Sequence, residues 1–92
     1  MGYSVFYTQI AEKDLERLDK NIAVRILKKI ESYVNSSNPL SYAKKLKNFT
    51  IDTYRFRVGD YRIVFRMDPG TNKIIILVVL RVLHRKEVYS KI

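Results

Sequence analysis

The chain has 92 residues, no cysteine and a formal charge of +9 from 18 Lys/Arg against 9 Asp/Glu. Such a length holds one domain, spanning residues 1–92, that buries roughly 60 to 65% of its unfolded surface. The missing cysteines exclude a disulfide framework and thiolate metal sites and fit a reducing cytoplasm, while the lack of a secretory pattern and of an apolar run near the roughly 20 residues of a membrane span points away from membranes.

The charge is unevenly placed. Residues 1–31 hold six Lys/Arg and five Asp/Glu, a net of +1, and residues 32–92 hold twelve and four, a net of +8. This asymmetry suggests a polyanion or an acidic partner for the second part; the plainer alternative is a soluble basic surface.

In chain order, "YSVFYT", residues 3–8, is aromatic and β-branched and predicts a first strand. Thr8 is placed to cap a helix, with Glu12 and Asp14 near its positive end. Ala11, Leu15, Leu18 and Ile22 recur at helical spacing, and Ile22, Ile26, Ile30, Tyr33 and Val34 make a second stripe of 3.6-residue period. A break near residues 19–21 gives two antiparallel helices; one long bent helix is the alternative. "NSSNP", residues 35–39, ends the helical part. After a basic connector, "YAKKLKNFT", the period becomes two: Tyr54, Phe56 and Val58 alternate with Arg55 and Arg57, then Tyr61, Ile63 and Phe65 with Arg62, Val64 and Arg66. The Gly59-Asp60 pair between them predicts a two-residue hairpin loop. A second turn, residues 68–72, leads into an apolar strand over 73–80, and "RVLHRKEVYSKI" closes the chain. The expected class is α+β, in the order β-α-α-β-β-β, with two N-terminal helices packed on a small, mainly antiparallel sheet.

A two-residue loop pairs Val58 with Tyr61, Arg57 with Arg62, Phe56 with Ile63 and Arg55 with Val64. One face is then apolar and the other carries Arg55, Arg57, Arg62 and Arg66. Opposed like charges destabilise a hairpin, whereas planar guanidinium forks suit a phosphate. Solvated arginines shielding apolar neighbours with their stems are the bland alternative. Further cations come from Lys44, Lys45 and Lys47 in the connector and from Arg81, Arg85 and Lys86 in the tail. His84, the single histidine, sits among cations that favour its neutral form, as a proton shuttle requires, although a lone histidine is more often structural. Tyr89 is either a packing residue or a platform for a base. No HExxH or Gly-rich phosphate loop is present. The acids are too scattered for a two-metal nuclease. Cleavage of nucleic acid by this chain is therefore expected to need no metal and no cofactor. RNA alone offers that route, by attack of the 2′-hydroxyl on the adjacent phosphorus.

With "KKLKN", "YRFRVGDYRIVF" and "VLRVLHRKEVY" in this order, nearly the whole chain resembles the RelE branch of the RelE/ParE toxin superfamily. The resemblance implies the toxin of a type II toxin–antitoxin system, a ribosome-dependent endoribonuclease that cuts messenger RNA in the decoding site and is silenced by an antitoxin. It implies contacts with ribosomal RNA and an acidic RelB-like antitoxin in a heterocomplex, the free toxin being a monomer. By the same resemblance Arg62 meets the scissile phosphate, Arg55 and Arg57 match the basic positions of the preceding strand, Arg85 matches a basic tail position and Tyr89 stacks on the substrate base. Arg57, Arg66, Arg81, Lys44, Lys45 and Lys47 are further candidates for phosphate binding. Two positions depart from the family pattern. Arg55 stands where other members carry a lysine that can act as base, and arginine stays protonated, so the base falls to His84 or Lys47. Leu83 stands where other members carry a catalytic arginine, and Arg81 could supply that charge from the same face. A ParE-like gyrase inhibitor and a non-catalytic binding module are the alternative functions.

Overall fold

The structure, a computed structural model, describes residues 2–47, 49, 51–71 and 74–91 and, of Thr71 and Tyr89, the backbone. Strand β1 (Gly2–Tyr7) leads into helices α1 (Gln9–Glu16) and α2 (Lys20–Val34) and a 3-10 turn (Pro39–Tyr42). Strands β2 (Ala43–Leu46), β3 (Thr53–Val58), β4 (Tyr61–Thr71) and β5 (Ile74–His84) follow, then a short helix, α3 (Val88–Lys91). The strands form one sheet in the order β1-β5-β4-β3-β2, antiparallel except for the parallel pair β1–β5. The α+β expectation holds, with two additions. Part of the basic connector is a strand at the sheet edge, and the tail ends in a helical turn.

Local chemistry accounts for the helices. Thr8 is extended and its hydroxyl accepts the Ala11 N–H at 3.1 Å, so it caps α1 as its position predicts. The same hydroxyl donates to the Leu80 carbonyl at 3.1 Å and ties the cap to β5. Two separate helices form, the chain leaving helical geometry after Arg17. Ile26, Ile30 and Val34 of α2 are buried, and Tyr33 lies 4.8 Å from the Phe56 ring.

The sheet presents Phe56, Val58, Ile63, Phe65, Leu77, Val79 and Val82 to that helical face. Phe56 and Phe65 stack at 4.3 Å, and both are fully buried. Burial of a side chain of this size contributes roughly 1.5 to 3 kcal/mol. The hairpin has the expected register, Val58↔Tyr61 through Arg55↔Val64. Gly59 turns it at φ +58°, where a side chain would be strained. Where a turn was expected over residues 68–72, β4 runs on to Thr71 with an irregularity between Asp68 and Thr71, at which Asp68 accepts the Gly70 N–H at 2.8 Å; residues 72 and 73 lie outside the described part.

Two features decide the placement of the tail. Between the pairs Val64↔Arg81 and Phe65↔Val79, Leu80 has no partner on β4, so β5 carries a bulge there. Strand β1 stops at Tyr7, opposite Val79, and beyond that point α1 takes over the β5 edge. Asp14, only 6% exposed, accepts the Val82 N–H at 2.9 Å and so satisfies a donor the missing strand would otherwise leave open.

Candidate nucleic-acid interface

The sheet face turned away from α1 and α2 carries the arginines. Arg57 opposes Arg62, which opposes Leu83; Lys44 opposes Arg55, which opposes Val64; Thr53 opposes Arg66, which opposes Val78. Val64 and Leu83 are 0% and 4% exposed, so the cations stand on an apolar floor. Arg62 is the centre of the group. Its Nη1 donates to the carbonyls of Gly59 at 3.0 Å and Tyr61 at 3.1 Å, which folds the guanidinium back onto the turn. Partial burial, and then the charges of Arg55, Arg57 and Arg85, lower its proton affinity below that of an ordinary arginine, with Asp60 opposing them. Arg85 reaches this group from the end of β5. Its N–H donates to the Asp60 carbonyl at 2.7 Å and its Nε lies 3.8 Å from the Asp60 carboxylate. Arginines from β3, β4 and the segment after β5 thus share one positive field that Asp60 offsets only in part. Such a field costs the fold stability and lends itself to a polyanion whose charge concentrates at one phosphate.

Lys44 extends the group to the sheet edge, and Lys47, at the end of β2, is exposed. Lys45 departs from the expected arrangement. It opposes Tyr54, a residue packed on the core, so it stands on the other face, where an ion pair with Asp52 at 3.1 Å raises its proton affinity. Arg66 sits two rows along β4 from Arg62, and its Nη1 is 3.4 Å from Asp68.

Arg81 does not supply the charge missing at Leu83. Its Nε and Nη2 bind the two oxygens of Asp14 at 2.9 and 3.1 Å, and its Nη1 donates to the Lys91 carbonyl at 3.1 Å. All three nitrogens serve a clasp between α1, β5 and α3, because the end of β1 lets Asp14 approach. His84 is also placed away from the arginines. It pairs with Tyr61 on the helix side of the sheet, the two rings edge to face at 5.5 Å, and its Nδ1 accepts the Lys86 N–H at 3.2 Å. His84 thus lies across the sheet from Arg62, against Tyr61. Strand β5 ends at His84, so Arg85 lies beyond it and Tyr89 is on α3; the Tyr89 side chain is outside the described residues.

Sequence reasoning assigned Asp14 to the helix dipole and Asp60 only to the turn. A signal for Asp14 existed. It follows Ala11 by three residues and precedes Leu18 by four, an acid on an apolar helix stripe. Among the described residues no three His, Cys, Asp or Glu side chains gather as a metal site requires. The arrangement can grip a phosphate from two sides, but its arginines cannot take up a proton. Lys44 and Lys47 in the connector and Lys86 beside Arg85 lack an ion pair among the described residues.

Residues 5–89 match the sequence model of a family described as the ParE toxin of the type II toxin–antitoxin system parDE. Toxin RelG of Mycobacterium tuberculosis is 31% identical over 91 residues, covering 99% of this chain and 100% of that protein. Toxin RelE3 of Methanocaldococcus jannaschii is 36% identical over 89 residues, 94% of each chain. Among solved structures, a chain of the RelB–RelE antitoxin–toxin complex from Methanococcus jannaschii superposes with a TM-score of 0.65 at 34% identity, covering 92% of this chain and 95% of that one. A chain of the RelBE2 toxin–antitoxin complex from Mycobacterium tuberculosis superposes with a TM-score of 0.68 at 27% identity, covering 92% and 100%.

Proposed function

The chain belongs to the RelE/ParE superfamily of type II toxins, in its RelE-like branch, and from that premise we propose that it is a ribosome-dependent endoribonuclease that cuts messenger RNA in the decoding site. The observation that carries this reading is Arg62, held by two carbonyls of the hairpin turn and pressed upon by Arg55, Arg57 and Arg85. In the proposed reaction the 2′-oxygen attacks the adjacent phosphorus, the P–O5′ bond breaks, and a 2′,3′-cyclic phosphate and a free 5′-hydroxyl result. The charge that builds on the phosphoryl oxygens is what Arg62 and its neighbours stabilise, and removing one such donor typically costs about 10² to 10³ in rate. A proton leaves the 2′-hydroxyl and one is delivered to the 5′-oxygen. With Arg55 unable to accept it and His84 across the sheet, the base falls to Lys44, Lys47, Tyr89 or a group of the ribosome.

The partners of this reading are the ribosome with its message and, for silencing, an antitoxin that the +9 charge leads us to expect to be acidic; the solved toxin–antitoxin complexes of the similar proteins support an antitoxin partner. The site of action is the cytoplasm, where ribosomes translate. The name of the matched family favours a second reading, inhibition of DNA gyrase in the manner of ParE. In vitro translation with and without ribosomes, followed by primer extension on the message, tests the first. New 5′ ends within the message only when ribosomes are present are expected. An intact message together with loss of gyrase supercoiling would favour the second.

A further inference from the structure

The arginine face does not end at Arg62. Farther along the same face lies a cleft of about 250 Å³, walled by Phe49, Ile51 and Leu80 and edged by Thr53 and Arg66. Its residues come from separate parts of the chain. Phe49 and Ile51 belong to the β2–β3 connection, Thr53 and Arg66 face each other across β3 and β4, and Leu80 is the unpaired residue of the β5 bulge. The bulge is what turns Leu80 toward the cleft. The connection is held over it by Thr53, whose hydroxyl donates to the Ile51 carbonyl at 2.8 Å. Ile51 remains 64% exposed, a large apolar side chain that no described element covers.

We propose that this cleft takes a nucleobase of the RNA strand whose scissile phosphate lies at Arg62, so that it contributes base preference at a neighbouring position. The inference rests on the ribonuclease reading above. Three features favour a base over a protein side chain. The cleft shares its face with the arginine rows. Arg62 and Arg66 are four residues apart on one strand, about 13 Å at 3.3 Å per residue, within reach of a neighbouring nucleotide when the phosphate is at Arg62. Finally, Phe49 offers a ring, Ile51 and Leu80 offer apolar walls, and Arg66 offers donors beyond the Nη1 that Asp68 engages. Apolar walls with a few convergent polar groups are the usual composition of a site for a flat heteroaromatic ring, and stacking with a nearby arginine is the usual way a single-stranded base is held.

Ribosomes programmed with messages that differ only in the nucleotides flanking one cut site supply the test, with cut sites and rates read by primer extension. Phe49→Ala is expected to change the relative rates among these messages by at least about fivefold, the ratio that 1 kcal/mol of base stacking gives. Arg62→Ala is expected to lower all of them together. Ile51→Ala is the second variant should Phe49→Ala fold poorly, since the exposed Ile51 side chain can be shortened without opening the core. Wild-type relative rates in the folded variants would overturn the cleft assignment and leave the ribonuclease reading standing. A wild-type protein that cuts none of the messages would overturn both.

Discussion

At the scale of single residues, Arg62 and His84 make opposite predictions although both look like candidates for chemistry. Arg62 faces three other arginines and serves no core contact. Arg62→Ala is expected to lower cleavage by about a hundredfold or more while thermal stability holds or rises, because repulsion with Arg57 is relieved. A stability loss beyond about 1 kcal/mol would place Arg62 in a structural network instead. Were His84 the general acid or base, His84→Ala would cost about a hundredfold or more. With the imidazole against Tyr61 on the helix side, the expected loss is less than about tenfold in the same assay, well short of what a general acid or base provides. Tyr7 makes a prediction about pH. Burial, and then the charge of Glu31, push its phenol up to about 12 from an ordinary 10.0. The native state therefore keeps a proton that the unfolded chain releases. Stability from this source is whole below about pH 10 and is lost as pH rises toward about 12; because Tyr7 is only partly buried, solvent screening holds the loss below the roughly 2 to 3 kcal/mol that 1.36 kcal/mol per unit would give. Urea unfolding from pH 9 to 12 should show this alkaline fall in the wild type and a smaller one in Tyr7→Phe.

At the scale of elements, the junction of α1, β5 and α3 depends on one buried carboxylate. Asp14 accepts from Arg81 twice and from the Val82 N–H once, and Arg81 carries the link on to the Lys91 carbonyl. Removing Asp14 leaves a partly buried guanidinium and a strand-edge N–H without their partner. Breaking such a pair from one side typically costs about 3 to 5 kcal/mol; since Arg81 keeps 21% of its side chain in solvent, the lower end is expected. The denaturation midpoint of Asp14→Ala should fall accordingly, with faster amide exchange over residues 86–91. Unchanged exchange there would show that α3 is held by its buried Val88 alone.

For the whole molecule, the governing quantity is the +9 charge on 92 residues. The arginine field destabilises the free toxin, and salt screens it over about 10 Å at 0.1 M. The melting temperature of the free protein should therefore rise between about 0.02 and 0.2 M NaCl. In the proposed complex an acidic antitoxin would relieve the same field. Its complex should nevertheless survive about 0.5 M NaCl, because the exposed Phe6, Ile10, Val24 and Leu27 offer apolar area that screening does not weaken. Complete dissociation at that salt, followed by titration calorimetry, would show that charge alone holds the pair.

The hairpin was legible in the sequence to the residue, and with it the face shared by Arg55, Arg57 and Arg62. A period of two and a two-residue loop leave a single register, since a slip by one would move every apolar side chain to solvent. The Thr8 cap, the two helices and the α2 stripe were legible for the same reason, that their causes lie within a few residues of each other. Strand β2 was not, because "AKKL" has no strand pattern of its own and is extended by pairing with β3. Neither was the role of Arg81. That role follows from a parallel pairing between β1 and β5, more than 70 residues apart for each paired residue, and from where that pairing stops. Beyond Tyr7 the β5 edge is open, Asp14 fills it, and the guanidinium follows the carboxylate instead of joining Arg62. Sequence periodicity determined which side chains share a strand face; only the meeting of distant segments decided which of those charges were left free.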